Sequence, residues 1–334
     1  MPVKTPANDT SVPAKKYRWV LYGLILSLAV NLLTGADEVK RLTDDEYPLL
    51  SRRLFAENPN NIVLNFTGLR KQLNEYVSQT PVKTGVYFEY LPTGNSIGVR
   101  EKEVFFTASL IKLPVVMRTY YLINEGKLKT EQIVTLKAEH IDKGFGDLWM
   151  RGEGAELSVK TLTDAVLTHS DNTAYRALSD LIDQYNSVSG DKRSVLDVYD
   201  YLDIANDEAG GNAGITPKNF SSILRSLYLS AYLPYKYSNH ILEHLTESEF
   251  NDWLPEPIPS DVKVAHKFGL YNAEPHEFSV HSDCGIVYHP KRPYMLCVMV
   301  NTFDEAIARN TIRAISKLTY DYIHIVEYTG IAKD

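Results

Sequence analysis

Between Asn65 and Gln79 the apolar residues Phe66, Leu69, Leu73 and Val77 recur every three or four positions, the spacing of one helix face. The run Val86–Leu91, the turn Pro92-Thr93-Gly94-Asn95 and Ser96–Arg100 predict a hairpin. A helix is expected from Ser109 to the stop at Glu125-Gly126, with a local irregularity near Pro114, just past its first turn. Residues 127–255 carry helical patterns and no convincing strand; Ser158 is placed to cap a helix over Val159–Thr168, and another follows from Thr173 to Gln184. Strand signals return at Val262–Lys267, Cys284–Tyr288 and Pro293–Val300, before an amphipathic helix over Asp304–Ile325. This order predicts an α/β (α+β) fold. A mainly antiparallel five-stranded sheet is flanked by N- and C-terminal helices, and an all-helical lobe, about 113–255, is inserted in it. A cleft between the two lobes is the expected place for a pocket.

The N-terminal pattern is different. Residues 1–16 are polar and predict a disordered cytoplasmic tail. Tyr17–Ala36 is almost entirely apolar and long enough to cross a bilayer as a transmembrane signal anchor. Basic residues before it and acidic ones after it orient the body outward, and Tyr17, Trp19 and Tyr22 suit an interfacial belt. A cleaved export signal, with Thr34 and Ala36 as the small residues before the cut, is the competing reading. Residues 37–62 read as a stalk and 63–334 as the folded body. Either reading of the span places that body beyond the cell membrane, as a single-pass protein or a secreted one.

Composition narrows the class of partner. The net charge is −7; Lys4, Lys15, Lys16 and Arg18 against Asp9 make residues 1–36 net +3, so the rest carries −10. An acidic body has no basic surface with which to displace counterions from nucleic acid. The two cysteines, Cys284 and Cys297, flank the turn His289–Pro293 and fall opposite each other on a hairpin. They can form a disulfide outside the cytoplasm or remain as buried thiols. Two thiols without a nearby histidine pair make no zinc site, and no metal or organic cofactor is expected.

Candidate chemistry centres on Phe105-Phe106-Thr107-Ala108-Ser109-Leu110-Ile111-Lys112. Three positions apart on a helix, Ser109 and Lys112 share a face and are expected to touch. At the helix mouth, free N–H groups and the dipole favour negative charge on Ser109 and oppose protonation of Lys112. Ser189-Gly190-Asp191-Lys192 spells the same S-x-x-K without the apolar frame. Downstream, Ser170-Asp171-Asn172 marks a break between helices, and Lys267-Phe268-Gly269 lies in a strand.

S-x-x-K, S-D-N and K-T-G in this order resemble the signature of serine β-lactamases and penicillin-binding proteins. Leu167–Ala174 is similar to the S-D-N segment of class A β-lactamases, and Asn124–Leu128 and Ile215-Thr216-Pro217 are similar too. The literal Lys83-Thr84-Gly85 lies upstream of Ser109, the wrong side for this order, and reads as a flexible lead-in to the first strand. The resemblance spans residues 66 to 326 and implies hydrolysis of a β-lactam or cell-wall peptide amide through an acyl-serine. It implies Ser109, Lys112, Ser170 and Lys267 as catalytic residues. Asn172, Gly269 and Leu270 would bind substrate, and the N–H groups of Ser109 and Leu270 would form the oxyanion hole. Asp171 is expected to hold the turn and His266 and His281 to be structural or rim histidines, while Phe145 and Trp149 can wall the cleft, with at least one of them expected in ordinary core packing. Two positions depart from the family pattern. Phe268 replaces the hydroxyl residue of K-T-G, and Leu202–Gly214 lacks E-x-x-L-N, although Asp207 and Glu208 are acidic residues in its Gly-rich part. Poor deacylation then points to a penicillin-binding D,D-carboxypeptidase-like enzyme, or to an inactive anchored cell-wall module.

Overall fold

In the computed structural model, Leu69, Leu73 and Val77 of helix α1 (Thr67–Gln79) bury one stripe against the sheet, as their spacing predicts. The structure describes residues 66–191, 193, 197–204, 214–272, 279–290 and 292–329. The predicted tail, membrane span and stalk lie outside them, as do Asp207 and Glu208. Among the described residues no helix is long and apolar enough to cross a membrane.

Strands β1 (Lys83–Tyr90) and β2 (Asn95–Val99) form the expected hairpin, closed by a turn in which Gly94 takes φ +76°. Next come β3 (Phe105–Phe106), a 3₁₀ turn (Ala108–Ile111) and helix α2 (Lys112–Asn124). Two short strands, β4 (Ile133–Thr135) and β5 (Glu156–Ser158), precede helices α3 (Val159–Thr168), α4 (Asn172–Ser189) and α5 (Asp197–Tyr201). After β6 (Gly214–Ile215) follow α6 (Pro217–Tyr228) and α7 (Tyr235–Thr246). The chain ends with β7 (Val264–Asn272), β8 (Ser279–Val287), β9 (Tyr294–Asn301) and α8 (Glu305–Thr329).

The five long strands form an antiparallel sheet in the order β2-β1-β9-β8-β7. Helices α1 and α8 cover one face, while α6 and the 3₁₀ turn pack on the other. The helical lobe, α2 to α7, shares its apolar core with that second face. Because the sheet is covered on both sides, every residue of β8 is buried. The first and last helices, the hairpin, the inserted helical lobe and the mainly antiparallel sheet all follow the sequence pattern.

Several local expectations are corrected. Lys83-Thr84-Gly85 is no flexible lead-in: it begins β1, with Thr84 paired to Val300 and Gly85 to Met299. A Cβ on Gly85 would come 2.8 Å from the Phe105 ring, so a small residue is needed there for packing. The helical lobe contains the short β4–β5 pair, and β6 pairs with β3 next to the 3₁₀ turn. Strand β8 starts at Ser279, five residues before its expected start at Cys284. Its polar half escaped the apolar pattern because its polarity is satisfied inside: Asp283 accepts from Leu254 N at 3.0 Å and pairs with His266 Nδ1 at 2.8 Å. Cys284 and Cys297 face each other across β8 and β9 and are joined in a disulfide.

Candidate active site

The backbone turns sharply from β3 into α2, and Ser109 sits on that turn. Ala108 adopts φ +45°, a left-handed conformation that is unfavourable for a residue with a Cβ. Such strain persists only where the surroundings hold it, and it clusters at functional sites. Here the Thr107 carbonyl accepts from Leu110 N at 2.9 Å, and β7 lies directly against the turn. Gly269 permits that approach, since a Cβ at this position would stand 3.1 Å from Leu110 Cγ and 3.2 Å from the Thr107 carbonyl. Phe106 and Tyr271 reinforce the contact, with ring centroids 4.5 Å apart. Ser109 keeps 8% of its surface accessible and occupies the 3₁₀ turn rather than the first turn of an α-helix.

Lys112, the first residue of α2, is almost fully buried. Its ammonium donates to the Ser170 carbonyl and to Asn172 Oδ1, each at 2.5 Å, and to Ser170 Oγ at 3.2 Å. Lys267 reaches the same hydroxyl from β7, donating to Ser170 Oγ at 2.7 Å and to the Phe268 carbonyl at 3.2 Å. Both amines therefore grip one hydroxyl, and their nitrogens lie less than about 6 Å apart. Ser109 and Lys112 are neighbours along the turn, but no hydrogen bond joins their side chains among the described residues. The link between Lys112 and Lys267 runs through Ser170.

Electrostatics set the proton affinity of this pair. Burial lowers Lys112 to about 8, against the opposing pull of Asp171 and Asp142. Burial also holds Lys267 well below the usual lysine range, and repulsion from Lys112 adds to it while Asp283 opposes. The sequence suggested the helix mouth as the cause for Lys112, whereas desolvation is the largest. The pair sheds its first proton far more readily than an isolated lysine does.

Ser170 owes its place to a strained turn: its φ is +53°, and Asp171 and Asn172 launch α4 immediately after it. Asp171 is the N-cap, accepting from Ala174 N at 2.7 Å through one oxygen and from Leu148 N at 2.9 Å through the other. It thus ties the loop 142–148 to the turn. Gly146 fits against it only because it lacks a Cβ, which would fall 2.0 Å from Asp171 Oδ2. Asn172 N donates to the Phe145 carbonyl, and its Nδ2 donates to Asp142 Oδ1 at 2.9 Å. Asp142 also receives Gly144 N and the Arg176 guanidinium, so the Asn172 carbonyl oxygen is turned toward Lys112. The sequence reading passed over Asp142, which lies 30 residues before Asn172 and belongs to no motif.

Phe268 is buried among aromatic rings. Its centroid lies 4.1 Å from Phe250, 5.3 Å from Phe145 and 6.3 Å from Trp253, and the Lys267 ammonium stands 4.5 Å from it. The Phe145, Phe250 and Phe268 rings edge a cavity of about 350 Å³ that also meets Gly146, Asp147, Thr168, His169 and Glu249. Phe145 is therefore a wall of this cavity, whereas Trp149 lies outside it, next to the Lys143 ammonium. Leu270, half-buried, continues β7 past the serine turn. His266 is fully buried against Asp283, and His281 is buried beside Trp253, with its proton affinity lowered mainly by desolvation. The structure thus brings Ser109, Lys112, Ser170, Asn172, Lys267, Gly269 and Leu270 to one end of the sheet.

Known proteins share the fold that carries this site. Residues 68–323 match the model of a family described as the β-lactamase enzyme family. PBP-A has a similar structure, with a TM-score of 0.68 at 22% identity over 78% of this chain and 97% of that one. A mutant of PBP-A, solved as an acyl-enzyme complex with penicillin G, gives 0.66 at 22% identity, covering 78% and 97%. A β-lactamase from Sphaerobacter thermophilus gives 0.66 at 19% identity, covering 78% and 99%. At such identities the likeness shows the fold alone. Among curated proteins, none matches this sequence.

Proposed function

We propose that this chain, which belongs to the β-lactamase enzyme family, opens a β-lactam or a cell-wall peptide amide through an acyl-Ser109 intermediate. One observation carries the reading: Lys112 and Lys267 converge on the Ser170 hydroxyl at 3.2 and 2.7 Å, beside the turn that presents Ser109. A hydroxyl is a weak nucleophile until a base takes its proton, and an amine of lowered proton affinity is such a base. In acylation Ser109 Oγ attacks the amide carbon while its proton passes to the neutral amine of Lys112. As the C–N bond breaks, Ser170 hands a proton to the departing nitrogen and is reprotonated from the lysine pair. The N–H groups of Ser109 and Leu270 would receive the carbonyl oxygen as it gains charge, a role in which losing one donor costs ~10²–10³ in rate. Asn172 and the Gly269–Leu270 edge would hold the substrate amide.

Deacylation is the slow step in this reading. The sequence lacks the E-x-x-L-N glutamate, and Phe268 withholds the hydroxyl that the family directs at the substrate carboxylate. These features favour a penicillin-binding, D,D-carboxypeptidase-like enzyme over an efficient β-lactamase. The apolar run 17–36 supports placing the body outside a bacterial cell membrane, on a single-pass anchor. The test is intact-mass spectrometry of the soluble body incubated with penicillin, with Ser109→Ala as control. A lasting adduct on the wild type, absent from the variant, is the expected result. A transient adduct with turnover would indicate a β-lactamase. No adduct with penicillin or with a D-Ala-D-Ala peptide thioester would leave an inactive wall-binding module.

A further inference from the structure

Away from the serine site, His240-Ile241-Leu242-Glu243-His244 places two imidazoles one helical turn apart on α7. Asp164 faces them from α3. Its Oδ1 lies 3.5 Å from His240 Nε2 and 3.4 Å from His244 Nε2, and the three ligand atoms fall within 4.8 Å of one another. We propose that Asp164, His240 and His244 bind a divalent transition-metal ion of the zinc class, with a water completing the coordination.

The distances suit that ion better than they suit hydrogen bonds. At ~2.0–2.1 Å bond lengths and tetrahedral angles, zinc ligand atoms lie roughly 3.3–3.4 Å apart. A hydrogen bond would bring the same atoms to about 2.9 Å. Asp164 Oδ1 and His240 Nε2 are both shielded from solvent and face each other at ion-pair distance, and among the described residues neither makes a hydrogen bond of ordinary length. Groups so placed cost stability unless something satisfies them. The outer contacts already match a ligating arrangement. His244 Nδ1–H donates to the His240 carbonyl at 2.9 Å, which leaves its Nε2 lone pair pointing inward. The Lys160 ammonium takes only Asp164 Oδ2, so Oδ1 remains available. Glu243, between the two histidines, is exposed and outside the cluster, so this is a binding site rather than a hydrolytic centre.

The ion would join two helices that lead to the cavity. Six residues after Asp164 the chain reaches Ser170, and α7 runs on into Glu249 and Phe250, which line the cavity with Thr168 and His169. Glu249 N already donates to the Thr168 carbonyl at 3.2 Å, and a metal one turn away would strengthen the same junction. Its first effect is therefore on the stability of the helical lobe.

Calorimetric titration of the chelator-treated full chain with zinc chloride tests the proposal, alongside melting curves with and without the metal. Saturable binding of one ion per chain and a raised melting temperature are expected. Both should disappear in His240→Ala and in His244→Ala. Asp164→Asn, which keeps the side chain's size, should bind at least ~10–100-fold more weakly, the loss seen when even an outer-shell partner is removed. His324→Ala, at the separate His289–His324 pair, should bind like the wild type. No saturable binding by the wild type overturns the proposal, as does binding that survives the double histidine variant. Should the histidine variants fail to fold, as judged by circular dichroism, Asp164→Asn decides: unchanged affinity there refutes the site.

Discussion

Asp171 offers a test in which stability and chemistry move separately. Its carboxylate makes two buried bonds, capping α4 at Ala174 and holding Leu148 N, so it supports the platform of Ser170 and Asn172 without touching the reacting atoms. Loss of an N-cap costs about 1 kcal/mol, and an orphaned buried N–H costs about 1–3 kcal/mol. Asp171→Ala should therefore lose about 2–4 kcal/mol, a melting temperature roughly 5–15 °C lower for a body of this size. Asp171→Asn keeps one acceptor but turns an amide N–H₂ toward the other donor, so it should fall between Ala and the wild type. The charge has a second effect, because Asp171 raises the proton affinity of Lys112, which stands at about 8. Removing that charge should lower it further. The neutral amine is the competent base, so acylation rises with pH as Lys112 loses its proton. In Asp171→Asn that rise should begin at lower pH even though the protein is less stable. The assays are urea unfolding and the pH profile of acylation by a chromogenic cephalosporin. Unchanged stability would refute the capping argument, and a rise displaced to higher pH would refute the electrostatic one.

Lys267→Ala should slow acylation by roughly 10²–10⁴, the range for losing a positioned proton-transfer group, while burst kinetics on folded protein distinguish this from weakened binding. Phe268→Thr should acylate faster with carboxylate-bearing penicillins, since it restores the missing hydroxyl, but its unfilled place among Phe145, Phe250 and Trp253 should cost about 3 kcal/mol or more. Equal acylation rates for Phe268→Thr and wild type would dismiss the hydroxyl argument. Replacing both Cys284 and Cys297 by serine opens a loop of 13-residue separation, which should cost about 3 kcal/mol in denaturant unfolding and leave the acylation rate unchanged.

Local physics made much of this protein legible in its sequence. Helix faces, the capping Ser158, the Gly94 turn and the α/β order are written in near-neighbour spacing, and each acts over a few residues. The ordered serine, lysine and S-D-N segments could likewise be picked out before any fold was known. What escaped depends on partners distant along the chain. Polar Ser279–Asp283 became a central strand only because Leu254 and His266 satisfy Asp283 inside the protein. The literal Lys83-Thr84-Gly85 joined β1, and Phe268 found its place among three rings from two other segments. Asp142 and the Asp164–His240–His244 cluster gained meaning only when separate elements met, although the histidine spacing itself was open to view. Lys112 and Lys267 reach Ser170 across 58 and 97 residues, and it is their burial together that lowers their hold on a proton. A chain carries its own periodicity wherever it goes, but desolvation belongs to a place, and only the folded protein creates that place.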